Sequence, residues 1–467
     1  MKKLFTVFCV IFILVCMIPV IPAFSADADY VVDDGILTDY VGSDTDIVIP
    51  SDVKGIADNA FADNTQIKSV KLHNDVYSIG DKAFYGCTSL NTVSGGNSVS
   101  YVGALAFADT PYLNDSTEDF LTIGSVLISC NADDASVNLP SEITAISAYA
   151  FLRNKTVTSF TAGDNLRIIG EGAFYECSSL SEIDVKSSVS YIGPDAFYGT
   201  KWLSSQTGYS VLGDGILVSY KGSDTALAIP QTVRQIAPNA FYNNTTVKSV
   251  DIPSSVFSIF ERAFMGCSNL QSVTFNDGLV MIGEEAFANC TALNSVRTPA
   301  SLQIIGKGAF INCSKLNTAY LCGDNLSIEY GAFANCTSLE IAMMSADTSA
   351  VREKVFANNP ALKAVSVPEQ VIMISADTFT GSSDVAVVCE EDSFAHSSLV
   401  NSCKVSLSGD VNINGGVEIV DATLIQTHTA NINDLLTEQF PYADVDFDTN
   451  ITVLDATRIQ RKLAKLI

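Results

Sequence analysis

The chain carries a periodic pattern of apolar positions. A phenylalanine recurs at Phe61, Phe84, Phe107, Phe151, Phe174, Phe197, Phe241, Phe264, Phe287, Phe310, Phe333, Phe356 and Phe379. The step from Phe61 to Phe84 is repeated throughout, except that the steps into Phe151 and Phe241 are nearly double. Six positions after each phenylalanine runs a second apolar column, which includes Ile67, Leu90, Leu180, Leu270 and Leu316. Nine positions after it runs a third, which includes Val70, Phe160, Val250, Val296 and Val365. The neighbours of this third column are mostly polar, and such alternation predicts a short strand with one buried face.

A unit as short as Phe61 to Phe84 is too small to close a core alone, whereas stacked copies bury a continuous one. The pattern predicts parallel stacking of the strands into one long sheet along one side of a solenoid. The Ile-Gly-x-x-Ala-Phe segment is expected to return along the other side. The fold class expected is an α/β-type repeat solenoid of mostly short strands, followed by a small all-α domain. The repeating unit, as in Ile282–Val296, resembles the leucine-rich repeat of the treponemal and surface-antigen type found in exported bacterial proteins. The resemblance covers about residues 30–383. It implies a curved solenoid whose sheet side binds protein or glycan, and it implies no enzyme activity.

The two longer steps hold inserts. Gly213–Asp224 copies Asp33–Asp44, and Thr122–Ser129 echoes it more loosely. Short apolar runs separated by Gly and Asp predict β-hairpins. The first hairpin is expected to cap the N-terminal end of the repeats, and Asp384–Leu407, which breaks the pattern, to cap the other. The organisation expected is a signal peptide over 1–26, the solenoid with its hairpin cap over 27–383, a cap or linker over 384–407 and a separate domain over 408–467.

Six cysteines, Cys87, Cys177, Cys267, Cys290, Cys313 and Cys336, stand three positions after a phenylalanine, where other copies hold Asn64, Thr110, Asn154, Thr200, Asn244, Asn359 or Ser382. A slot that accepts Cys, Asn, Thr or Ser calls for a small side chain bonded to backbone at a turn. It predicts buried free thiols rather than metal ligands or disulfides. Cys389 and Cys403 are candidates for a bridge, which an oxidising compartment permits.

Composition narrows the functions. Lys+Arg total 26 against 52 Asp+Glu, a net charge of −26, which argues against nucleic acid and anionic lipid as partners. Met1-Lys2-Lys3, the apolar run Leu4–Val20 and the small residues around Ala26 have the form of a cleaved export signal. No second long apolar run follows, so no membrane insertion is expected after cleavage. With 3 His there is little material for histidine catalysis, and no nucleophile-elbow, H-E-x-x-H or P-loop motif occurs. On the outward columns of the strands the residues are small and of mixed charge, except for an apolar patch at Tyr320, Ile341 and Met343. These three are the candidates for a binding site on the solenoid.

The C-terminus holds two loops of matching pattern, Asp410–Asp421 and Asp444–Asp455. Calcium is a hard ion that takes six to eight oxygens, and this spacing wraps them around it. The expected ligands are the side chains of Asp410, Asn412, Asn414 and Asp421 with the Gly416 carbonyl, and of Asp444, Asp446, Asp448 and Asp455 with the Asn450 carbonyl. Glu418 and Thr452 are expected to act through water, so two calcium ions are expected. Each loop runs into a helix, and neither has a helix before it. The closing segment Gly409–Ile467 resembles the type I dockerin of cellulosomal bacteria.

That resemblance implies calcium-dependent folding and docking to a cohesin module of a scaffoldin. It places partner choice at Ile419, Val420 and Gln426 in one copy and at Val453, Leu454, Gln460 and Arg461 in the other. Aliphatics at matching places imply docking in either of two orientations. Thr449 stands where the second loop would have glycine, and Asn414 removes one charge from the first, so uneven or weakened calcium binding is expected. The function expected is that of a non-catalytic, secreted, cellulosome-associated protein whose solenoid binds a further protein or glycan. The alternatives are a free surface adhesin and a polysaccharide-degrading enzyme with an unrecognised site.

Overall fold

The computed structural model describes residues 29–465. The signal peptide expected over 1–26 lies outside the described residues. The chain forms two compact units, divided between Thr117 and Glu118.

Both units are built from parallel strands that follow the repeat. In the first, Asp46–Val48, Ser69–Leu72 and Thr92–Gly95 form one parallel sheet, with Ile47, Val70 and Val93 in register. In the second, the corresponding strands form three sheets. Ser136–Asn138, Ser159–Thr161 and Glu182–Asp184 make one, and Ala226–Ala228, Ser249–Ile252 and Ser272–Phe275 make another. The third has six strands, from Ser295–Arg297 through Thr318–Leu321, Ile341–Met344, Ala364–Ser366 and Ala386–Cys389 to Lys404–Leu407. The single long sheet expected from the periodicity is therefore divided. After Thr92–Gly95 and after Glu182–Asp184 the chain forms a short helix instead of a strand, Pro111–Asn114 and Lys201–Ser205. The cause is local: Thr110 and Thr200 accept from the backbone N–H groups of Leu113 and Leu203 at 3.2 and 3.1 Å, as N-caps.

The return segment is itself a second parallel ladder. Its rungs are two-residue strands such as Ser258–Ile259, Met281–Ile282 and Ile304–Ile305. The glycine that follows Ile282 and Ile305, and Val102 in the first unit, is required by close approach. A Cβ on Gly283 would lie 2.8 Å from the backbone of Phe260, and one on Gly103 would lie 2.5 Å from the backbone nitrogen of Asp81. The inserts are antiparallel hairpins, Phe120–Ile123 with Val126–Cys130 and Gly208–Leu212 with Ile216–Lys221, and the first unit opens on a like pair, Tyr30–Asp33 with Ile36–Tyr40.

The phenylalanines form stacks inside these coils. From Phe241 to Phe379 seven rings follow one another at centroid spacings of 4.5 to 6.0 Å. Tyr220 begins this stack from its hairpin, as Tyr40 begins the stack in the first unit. The shorter stacks end against an aromatic on the short helix, Phe107 on Tyr112 and Phe197 on Trp202, both edge-on. Offset and edge-on arrangements match the electron-rich face and electron-poor rim of the rings.

The slot three positions later always bonds to backbone, in one of three ways. The thiols of Cys87, Cys177, Cys267, Cys290, Cys313 and Cys336 donate to the carbonyl of the phenylalanine one turn earlier at 2.8 to 3.2 Å. Asn359 and Ser382 donate in the same way to Phe333 and Phe356. At Asn64, Asn154 and Asn244 the side chain accepts from its own following backbone N–H groups. Cys389 and Cys403 are free thiols, and Cys389 faces Leu407 across the ladder, so they form no bridge. On the corner beside this slot, Asn289, Asn312, Asn335 and Asn358 have positive φ and join into an amide ladder with 3.0 to 3.1 Å bonds.

Asp384–Leu407 breaks the sequence pattern but does not leave the repeat. It carries a helix, Phe394–Leu399, yet its two strands extend the six-stranded sheet in register, Val365 with Val387 and Val387 with Val405.

A candidate metal-binding tail and its seat on the repeats

Two helices carry the tail, Ile419–Thr429 and Val453–Leu463. Ala422 and Ile425 of one pack with Ala456 and Ile459 of the other, around Val411, Ala443 and Val445. Val417 and Ile451, at equal places in the two loops, pack against this core and pin each loop to it.

The loops fold alike. In the first, Asp410 accepts from the N–H groups of Asn414 and Gly415 at 3.0 and 2.8 Å, and Asp421 from those of Asn412 and Glu418 at 2.9 and 2.7 Å. In the second, Asp444 accepts from Asp448 and Thr449 at 3.0 Å each, and Asp455 from Val445 and Thr452 at 2.8 Å each. Asn412 and Asn414, and likewise Asp446 and Asp448, bond to backbone two positions on. Glu418 and Thr452 are the N-caps of the two helices, and the Thr452 hydroxyl accepts from the Leu454 N–H.

Four carboxylates, Asp410, Asp421, Asp444 and Asp455, are buried. Buried charge is costly without a counter-charge. In the second loop Asp444, Asp446 and Asp455 place carboxylate oxygens within 4.8 Å of one another. Burial first, then the neighbouring Asp455, pushes the Asp444 carboxyl up to about 8. Burial raises Asp446 and Asp455 as well, with repulsion from Asp448 and from Asp446 adding to it. A crowded, all-oxygen donor set that resists ionisation by itself is the arrangement a hard divalent cation relieves, and it is compatible with calcium. The first loop offers the same frame with Asn412 and Asn414 in place of two of the aspartates.

The residues expected to meet a cohesin lie outside this core. Ile419 and Val420 are 58% and 49% exposed, and Val453 and Leu454 are 58% and 60% exposed. Gln426 and Arg461 are exposed and Gln460 is half-buried.

A short helix, Phe440–Ala443, precedes the second loop, which the sequence pattern does not predict. It seats the tail on the repeats. Tyr442 is buried among Ala364, Ala386 and Val388 on the outer face of the six-stranded sheet. The Ala346 N–H donates to the Phe447 carbonyl at 2.8 Å. Lys462 pairs with Glu390 at 2.8 Å, and Lys363 with Glu438 at 3.2 Å. Arg297 donates to the Thr449 hydroxyl and carbonyl, both at 3.0 Å, while its guanidinium lies 4.4 Å from the centre of the Tyr320 ring.

The patch at Tyr320, Ile341 and Met343 is thereby corrected. Ile341 and Met343 are fully buried and Tyr320 is half-buried. They are apolar because this face of the sheet carries the chain's own tail, not because it is an open site for another molecule. The signal that could have revealed the occupant is a change of pattern. Earlier strands alternate buried and exposed, as in Ser249–Ile252, whereas Ile341–Met344, Ala364–Ser366 and Ala386–Cys389 are buried on both faces.

Coils of parallel strands with an inward phenylalanine in each turn define a leucine-rich repeat solenoid, and the paired loop-helix tail defines a dockerin. The family model of the BspA type leucine rich repeat region matches in six copies over residues 40–153, 126–211, 219–340 and 296–393, and the chain belongs to this family. Residues 408–464 match the type I dockerin domain. Solved structures similar to the chain include a leucine-rich repeat protein from Eubacterium ventriosum, at 19% identity over 75% of this chain and 91% of that one, with a TM-score of 0.37. Another, from Bacteroides ovatus, is 21% identical over 83% and 97%, with a TM-score of 0.33. The pneumococcal vaccine antigen PcpA is 18% identical over 80% and 94%, with a TM-score of 0.35. No curated protein matches the chain. Both matched modules are binding modules rather than catalytic ones. Among the described residues, no helix is long and apolar enough to cross a membrane.

Proposed function

We propose that this chain is a non-catalytic, secreted component of a cellulosome-like assembly. Its dockerin binds two calcium ions and docks to a cohesin module of a scaffoldin, and the repeats bind a protein or a cell-surface ligand. The calcium ligands are the two sets of loop residues from Asp410 to Asp421 and from Asp444 to Asp455. The contact residues are Ile419, Val420 and Gln426 on one side, and Val453, Leu454, Gln460 and Arg461 on the other. One observation carries this reading. The tail rests on the solenoid through Tyr442 and Thr449, yet both aliphatic pairs, Ile419 with Val420 and Val453 with Leu454, stay open to solvent. Apolar anchors of this kind are what a partner surface buries.

The test is capture of the purified chain by immobilised type I cohesin modules, in calcium and in a chelator. Capture in calcium and release by the chelator are expected. Failure to bind any cohesin in calcium removes the assembly role. A second reading, a free surface adhesin, is favoured by the same seat, because a tail packed on its own solenoid also covers the last strands. Under that reading chelation destabilises the repeats and no cohesin is bound.

A further inference from the structure

The two loops differ at one position in a way that their ligands do not explain. Position six is Gly415 in the first loop and Thr449 in the second, with φ of +95° and +66°. Left-handed backbone suits glycine and strains a β-branched residue. A Cβ on Gly415 would meet nothing within 4 Å. Thr449 is buried, and every polar atom it offers is engaged. Its N–H donates to the Asp444 carboxylate, its carbonyl and hydroxyl each accept from Arg297, and its hydroxyl lies 3.1 Å from the Cys322 thiol. Arg297 and Cys322 belong to the repeats. Arg297 is itself held by Tyr320, so the fork of its guanidinium presents two parallel donors to one residue.

We propose that the solenoid completes the second calcium loop: Arg297 and Tyr320 hold Thr449 in the conformation that presents Asp444 to the ion, and calcium in that loop fastens the tail to the repeats in return. This rests on the calcium reading given above. Coupling between two binding events is reciprocal, so an ion that binds the docked loop better must strengthen docking by the same factor. In the first loop the Gly415 N–H donates to Asp410 of the same loop, and the affinity of that loop is expected to be unchanged by loss of Arg297.

The test uses the full chain and calcium alone as the probe, by titration calorimetry. The wild type is expected to bind two ions. Arg297→Ala is expected to weaken one of them about tenfold and leave the other unchanged. An Asp410→Ala background, which disables the first loop, assigns the weakened event to the second. In a Thr449→Gly background the loop no longer needs to be held, and adding Arg297→Ala is then expected to change its affinity less than about threefold. Hydrogen exchange gives an independent readout: calcium is expected to protect the amides of Ser295–Arg297 in the wild type and not in Asp444→Ala. Two calcium events of unchanged affinity in Arg297→Ala, with the fold intact by circular dichroism, overturn the coupling and leave the calcium reading standing. A wild-type chain that binds no calcium overturns both.

Discussion

The thiol of Cys290 donates to the carbonyl of Phe264, 3.2 Å away and one turn earlier. This bond ties its turn to the one before it at the point where the ring stack passes. Burial drives the Cys313 thiol away from ionisation, and it pushes Cys87 up to about 11 and Cys177 and Cys336 up to about 12. The thiolate is the reactive form. All six ladder cysteines are buried, so at pH 8 an alkylating agent is expected to spare them in the folded chain and to label them after unfolding. Peptide mass mapping checks this, and rapid labelling of Cys313 or Cys336 in the native protein would contradict it. Cys290→Ser, which keeps the donor, is expected to stay within about 1 kcal/mol of the wild type, and Cys290→Ala to lose about 1–2 kcal/mol.

Phe287 lies between Phe264 and Phe310, at centroid distances of 4.9 and 5.2 Å. Removing it leaves a hole that the flanking turns cannot fill, because each is fixed by two ladders of backbone bonds. Phe287→Ala is expected to cost about 3–5 kcal/mol in a urea melt. A loss below about 1 kcal/mol would mean that the stack is not the core of the repeat.

Tyr442 anchors the tail among Ala364, Ala386 and Val388. Tyr442→Ala is expected to free the tail from the sheet while leaving the packing of Ile425 against Ile459 intact. Limited proteolysis should then cut faster between Lys404 and Asp410, with the two-helix core still resistant. Unchanged cleavage kinetics would show that the polar contacts alone hold the seat.

The open aliphatic pairs allow docking to be dissected. Replacing Ile419 and Val420 by glutamate is expected to leave cohesin capture in place through Val453 and Leu454, and the converse pair to do the same. All four together should abolish capture, as should Asp410→Ala combined with Asp444→Ala, which removes one buried carboxylate from each loop. Surface plasmon resonance measures each case. Loss of binding in either two-residue variant would show that one face alone docks.

The phenylalanine column, the slot behind it and the two acidic loops are legible from sequence because each is set by spacing over a short stretch of chain. Two things are not. The second ladder is made of strands such as Ser258–Ile259, too short for any alternation to register, and its glycines are set by backbone contacts one turn away. The patch at Ile341 and Met343 is visible as an oddity in an otherwise polar column, but its occupant comes from the far end of the chain, around Tyr442. Its local pattern says only that something covers it. Thr449 has the same character: as a lone departure from glycine it reads as a weakness of the loop, and the distant Arg297 supplies the reason for it.

The short stacks carry a further implication. The run from Phe61 to Phe107 starts beneath the hairpin tyrosine Tyr40 and finishes beneath Tyr112, and the run ending at Phe197 finishes beneath Trp202. Because each of these two runs ends on an aromatic of its own short helix, its last ring is covered from within the same run.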